Sequence, residues 1–186
     1  MKKAVLWVAI SILVTATTGF AQLTATPNAV DNSPKVGDMA PDFPLAQGTT
    51  SVAAANLKDL AGKKNVLLMF FPGAFTAGCT TEFTEAGKFH DQFTGMNIEM
   101  IGVSRDLRGA LAKFKEVVGA KNGFVSDPEL TVTTKYDAIS PNRTSKRYYF
   151  LIDDKGKVVW KSVSGQLIPT DKLLTDLKTV LQQSSN

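Results

Sequence analysis

Apolar positions follow two rhythms along the chain. Asn65-Val66-Leu67-Leu68-Met69-Phe70-Phe71 is a continuous apolar run, preceded by Gly62-Lys63-Lys64 and stopped by Pro72-Gly73. Its length and punctuation predict a central strand buried on both faces. From Cys79 to about Phe93 the period changes. Phe83, Ala86, Phe89, His90 and Phe93 stand three or four apart and predict a helix with one apolar-leaning face. Residues 97–104 (NIEMIGVS) predict a second strand, and residues 107–118 a second helix with Leu111, Phe114 and Val118 on one side. Residues 147–153 (RYYFLID) predict a strand. Asp154-Lys155-Gly156 turns it into Lys157-Val158-Val159-Trp160, so the two form a hairpin. An amphipathic helix from about Thr170 to Leu181 carries Leu173, Leu174, Leu177 and Leu181.

The order is strand, helix, strand, helix, hairpin, helix. Strands that alternate with helices imply a sheet covered on both faces, and the terminal hairpin makes that sheet mixed. The fold class is therefore α/β, a thioredoxin-like fold with a central mixed β-sheet flanked by helices on both faces. That outline alone names no activity.

Ahead of the first strand the texture differs. Met1-Lys2-Lys3 is a short basic start, followed by an apolar stretch from Ala4 to about Val14. It is short of the roughly 20 apolar residues that span a bilayer. Gly19-Phe20-Ala21 offers small residues where a signal peptidase reads them. Residues 1–21 read as a secretory signal peptide cut after Ala21, with an uncleaved membrane anchor as the alternative. Residues 22–35, rich in Thr, Asn, Ser and Pro, read as a flexible tether. Residues 36–186 form one domain. The expected location is across the inner membrane, in a bacterial periplasm, with no stable membrane association once the signal is cut.

Charge narrows the partners. The formal net charge of +4 falls to +2 once Lys2 and Lys3 leave with the signal, as 19 basic residues then face 17 acidic ones. With no run of like charge, nothing argues for nucleic acid. One Cys and one His cannot build a metal site, so no metal and no cofactor is expected.

The single cysteine carries the chemistry. Exported proteins often use disulfides, yet Cys79 has no partner within the chain. It is either an inert buried thiol or a reactive one. Its neighbours decide. A buried strand stops at Pro72, a short loop follows, and a helix begins at about Cys79. Helix N-termini carry unpartnered N–H groups and the positive end of the dipole, which favour a thiolate, the nucleophilic form.

Pro72, Thr76 and Cys79 stand in the order P-x-x-x-T-x-x-C within FFPGAFTAGCTTEF. This resembles the active-site signature of peroxiredoxins, the alkyl hydroperoxide reductase and thiol-specific antioxidant superfamily. Val36-Gly37-Asp38-Met39-Ala40-Pro41-Asp42-Phe43 resembles the opening of such domains. Arg147, three residues before Phe150, resembles the family's active-site arginine. The likeness runs from about Val36 to Leu181.

The resemblance implies a thiol-dependent peroxidase that reduces hydrogen peroxide or organic hydroperoxides through a sulfenic acid on Cys79. Thr76 would offer its hydroxyl, Arg147 its guanidinium, and Pro72 would shield the thiolate. Arg143, in the preceding loop, is the rival arginine. Glu82 either orients an arginine or serves the helix dipole as a simple charge. His90 is read as structural, being about 16 Å along a continuous helix from Cys79. Trp160 is read as packing the hairpin.

The chain departs from the two-cysteine pattern. Its reductant must come from outside, as a small thiol or a thioredoxin-like partner, and a homodimer joined through Cys79 is another fate. A thiol–disulfide oxidoreductase would need C-x-x-C, where this chain has Cys79 and Glu82. The remaining alternative is a peroxide-sensing or partner-binding module without turnover.

Overall fold

The computed structural model describes residues 30–46 and 49–184. The expected signal at 1–21 and the first part of the expected tether lie outside the described residues. The elements are β1 (Asn65–Phe70), α1 (Ala77–Lys88), α2 (His90–Gly95), β2 (Ile98–Ser104), α3 (Arg108–Val118), β3 (Gly123–Ser126), α4 (Thr131–Lys135), β4 (Tyr148–Ile152), β5 (Val158–Ser162) and α5 (Thr170–Ser184), with a 3₁₀ turn at Leu57–Leu60.

The strands lie in the order β3-β2-β1-β4-β5. β1, β2 and β3 are parallel, while β4 runs antiparallel to β1 and β5. The sheet is mixed, as the pattern predicts. β1 is central and both its faces are buried. Leu67, Met69 and Phe71 enter one apolar cluster with residues of α1, α3 and α5. Val66, Leu68 and Phe70 enter another with the 3₁₀ turn and with Val132 and Tyr136. The alternation is the two-residue period of a pleated strand. Gly102 shows how tightly the first cluster closes, since a Cβ there would lie 2.7 Å from ring carbons of Phe124.

Three details depart from expectation. The helix predicted from Cys79 to Phe93 starts earlier and is broken. It begins at Ala77, and Phe89 (φ −96, ψ 7) separates α1 from α2. Gly87 lies just before the break, where a Cβ would stand 3.1 Å from the carbonyl oxygen of Gly119. Glycine there admits the end of α3 but weakens the last turn of α1.

The pattern also misses β3 and α4. Thr131-Val132-Thr133-Thr134 is poor helix former because β-branched residues lose χ1 freedom. The buried carboxylate of Asp127 holds it, accepting from the N–H groups of Val132 and Thr133 (3.2 and 2.8 Å) and from Thr133 Oγ1 (2.7 Å).

The third correction concerns the tether, placed at 22–35. From Asp31 onward the chain is pinned to the domain. Lys161 Nζ donates to Asp31 Oδ2 (2.7 Å) and to Ser33 Oγ (2.9 Å), Asn32 N–H donates to Asp137 (3.1 Å), and Ser33 is buried. The hydrogen bond from Lys161, then that from Ser33, lowers the Asp31 pKa to about 2. Just beyond, Gly37 and Asp38 exchange backbone hydrogen bonds with Val158.

Candidate active site

The thiol sits where β1 delivers the chain. Phe71 N–H still bonds Val103 O, at 3.1 Å. Pro72 then ends the ladder, having no N–H to give. Thr76 is the N-cap of α1 in extended conformation (φ −75, ψ 147), and its carbonyl accepts from Thr80 N–H at 2.8 Å. Cys79 is thus the third helical residue, and its N–H is among the donors that a helix start leaves unpaired. The residue is 1% exposed and packs in the cluster with Phe71 and Phe83.

One cation faces the sulfur. Arg147 Nη2 donates to Cys79 Sγ at 3.2 Å, and Arg147 Nε donates to Glu82 Oε2 at 3.0 Å. The other oxygen of Glu82 accepts from Tyr149 Oη at 2.5 Å. Arg147 immediately precedes β4 rather than lying within it. Cys79 and Glu82 are three residues apart on α1, so both face the same side. Arg147 and Tyr149 are two apart and likewise share a face. Those two spacings assemble the site.

Burial sets the electrostatics. Glu82 is 4% exposed. Desolvation pushes its carboxyl above the ordinary value, against the opposing pull of the Tyr149 hydrogen bond and the Arg147 charge. For Arg147, burial works against the charge but is outweighed by Glu82 and then Cys79, so the guanidinium stays above its ordinary value. Tyr149 is raised well above a free phenol, by burial first and then by Glu82, and remains a donor. The group that faces the sulfur is therefore a permanent cation in a partly buried setting, where charge interactions are stronger than at the open surface.

The other expected residues fall as follows. Pro72 is half-buried at the loop's start. Thr76 is exposed, and its hydroxyl donates to the carbonyl oxygen of Gly73 at 3.0 Å rather than to the sulfur. Arg143, the rival arginine, sits in a turn at φ +55, and its carbonyl accepts from Arg105 at 2.7 Å. His90 meets Asp91 at 3.5 Å, and Trp160 packs beside the first cluster. Among the described residues, no group of His, Cys, Asp and Glu could hold a metal ion.

Two residues escaped sequence reasoning. Tyr149 carried a usable signal, since it is two residues beyond Arg147 on a strand and must share its face. Asp106 carried none. Its Oδ2 accepts from Ala74 N–H in the cysteine loop (2.8 Å) and from Ser104 Oγ (2.8 Å), and its carbonyl accepts from Ser126 Oγ (2.7 Å).

The AhpC/TSA family model matches residues 36–161. The chain belongs to that family. It is a peroxiredoxin, a thiol-dependent peroxidase on the thioredoxin-like fold. It is 32% identical over 131 residues to Peroxiredoxin 2 of Caldanaerobacter subterraneus, covering 66% of this chain and 58% of that one. It is 30% identical over 141 residues to the chloroplastic 2-Cys peroxiredoxin BAS1 of Hordeum vulgare, covering 70% of this chain and 67% of that one. The crystal structure of peroxidoxin BcpB from Mycobacterium tuberculosis superposes with a TM-score of 0.68 at 28% identity, covering 78% of this chain and 97% of that one. Where the barley protein is named for two cysteines, this chain has one.

Proposed function

We propose that Cys79 reduces hydrogen peroxide or a small organic hydroperoxide and is recharged by a thiol from outside the chain. The observation that carries this reading is the 3.2 Å hydrogen bond from Arg147 Nη2 to Cys79 Sγ. In the first step the thiolate attacks one peroxide oxygen. An S–O bond forms, the O–O bond breaks, and Cys79 becomes a sulfenic acid. The departing oxygen leaves as an alkoxide or hydroxide and takes a proton from solvent. Arg147 is placed to meet the charge that builds there, a donor already oriented before reaction. Pro72 adds no donor that would compete for the sulfur. Thr76 donates its hydroxyl hydrogen bond to Gly73, so its lone pairs remain to accept from the O–H of the peroxide.

An external thiol then condenses with the sulfenic acid, releasing water and forming a mixed disulfide. A second thiol breaks that disulfide and frees Cys79. The lone cysteine supports this route, because no second cysteine exists to resolve the first. The basic start and apolar stretch of residues 1–14 support export, with the cycle running in a bacterial envelope and a thioredoxin-like protein or small thiol as reductant.

Peroxide consumption with and without dithiothreitol tests the function, with Cys79→Ser as the control. Many turnovers per chain with the thiol, and one equivalent without it, are expected. A single stoichiometric oxidation despite added thiol would leave a sensor in place of the enzyme. N-terminal sequencing of the exported protein should begin at or near Gln22.

A further inference from the structure

We propose that Asp106 is a positioning residue for peroxide reduction, acting on Thr76 through the single peptide group that joins Gly73 to Ala74. The inference rests on the reading of Thr76 given above. That peptide group is held at both ends. Its N–H, on Ala74, donates to Asp106 Oδ2 at 2.8 Å. Its carbonyl, on Gly73, accepts from Thr76 Oγ1 at 3.0 Å. Asp106 and Thr76 flank the same amide closely: a Cβ built on Gly73 would lie 3.8 Å from Asp106 Oδ2 and 3.9 Å from Thr76 Cγ2.

A planar amide transmits orientation from one end to the other. A carboxylate on its N–H also polarises it, and a polarised amide is a better acceptor at its oxygen. Asp106 thereby fixes the direction of the Thr76 O–H bond. The hydroxyl hydrogen is committed to Gly73, and the oxygen lone pairs are presented on the exposed side of the loop.

Asp106 is itself immobilised. Ser104 Oγ donates to its Oδ2 at 2.8 Å and accepts from its N–H at 3.3 Å. Ser126 Oγ donates to its carbonyl at 2.7 Å. The end of β2 thus holds the carboxylate and the end of β3 the backbone of the same residue, and the carboxylate holds the loop. The loop needs such an anchor, because Phe75 lies at φ +62, a region where a bulky side chain is strained. Arg147 and Glu82 take no part, so this support is separate from the one that serves the sulfur.

A double-mutant cycle with Thr76→Val tests the idea. The readouts are the second-order rate of peroxide consumption at saturating thiol and the rate of Cys79 alkylation by iodoacetamide, which needs no Thr76 hydroxyl. Asp106→Ala should slow peroxide consumption by about 10- to 100-fold, the scale of a small misplacement at a reacting centre. In the Thr76→Val background the same change should cost less than about 3-fold, since nothing remains to be positioned. Alkylation should stay within about 3-fold throughout, reporting an intact thiol and fold. Asp106→Asn keeps an acceptor but loses the charge, and a neutral hydrogen bond has about half the strength. It should fall between wild type and Asp106→Ala.

Equal losses in both backgrounds would overturn the proposal, as would alkylation that falls in step with peroxide consumption or an unaffected Asp106→Ala. A fully active Thr76→Val single variant is a different failure. It removes the Thr76 reading itself, and the role of Asp106 falls with it.

Discussion

Replacing Arg147 by alanine removes two contacts at once, and the two carry different consequences. The first is the donor at 3.2 Å from Cys79 Sγ. Losing a donor aimed at developing charge costs on the order of 10²–10³ in rate, or about 2.7–4 kcal/mol of barrier. The second is the 3.0 Å ion pair with Glu82, whose side chain is 4% exposed. Stripping one partner from a buried pair costs about 3–5 kcal/mol. The lower end applies, because Tyr149 still donates to Glu82 and the carboxyl can take up a proton. For a domain of this size, about 3 kcal/mol lowers Tm by roughly 6–12 °C.

The two effects separate in a second variant. Adding Glu82→Gln to Arg147→Ala removes the stranded charge, so stability should recover while the rate stays low. Arg147→Lys should keep most of the stability and lose at least about tenfold in rate, because one ammonium cannot reproduce a planar fork that reaches two partners. Arg143→Ala should stay within about 3-fold of wild type, its carbonyl rather than its side chain being the group held by Arg105. The assay is peroxide consumption at saturating thiol, paired with thermal denaturation. If Arg143→Ala proves the more damaging change, or folded Arg147→Ala keeps wild-type rate, the assignment of the cation is wrong.

Two pH dependences follow from charges placed at fixed partners. Burial raises the Glu82 pKa above about 4.5, so the native chain holds that proton more tightly than the unfolded chain. Its contribution is full below about 4.5 and is lost as pH rises through the folded value. The stability of wild type relative to Glu82→Gln, from denaturant midpoints, should therefore fall over that window, and a flat difference would refute the assignment. Asp31 runs the other way: its pKa is lowered from 3.8 to about 2 by Lys161 and then Ser33. Its contribution is present above about 3.8 and is lost as pH falls through about 2. The pair is partly exposed, so Asp31→Asn should cost under about 1 kcal/mol at neutral pH. That gap should shrink as pH falls from about 3.8 and close below about pH 2, and a gap independent of pH would place the pinning elsewhere.

What the sequence disclosed, and what it hid, divides by the reach of the interactions. The run 65–71, the hairpin after Asp154 and the Leu173–Leu177 stripe are local patterns, and each became the element it predicts. Cys79, Glu82 and Arg147 were singled out by the short motif and by the family resemblance it carries, and the structure brings the three side chains together. α4 was hidden because its own residues argue against a helix, and a carboxylate outside it overrules them. The pinning of Asp31 was hidden because Lys161 lies 130 residues away, and a polar segment gives no hint of where it docks. Asp106 was hidden by a separation of 32 residues from Ala74, since no local pattern links a carboxylate to the backbone N–H it will hold. The break at Phe89 depends on α3 approaching Gly87, which no period within α1 reports.

The site can also be read as a sequence of demands. A thiol buried among Phe71 and Phe83 gains more from a cation than an exposed thiol would, because the medium screens little. Burying that cation is costly, and Arg147 is stable there only because Glu82 meets it from the other side. Glu82 is then a buried carboxylate, which in turn requires the Tyr149 hydroxyl. Tyr149 is itself buried, and burial first, then Glu82, keeps its phenol protonated and donating. A surface cation could have faced the sulfur with none of these supports, but it would have been mobile and screened. Each added partner makes the position of Arg147 more certain, and a donor must already be in place when charge appears on the departing oxygen. On this argument the buried carboxylate and the phenol behind it hold one guanidinium still against the sulfur.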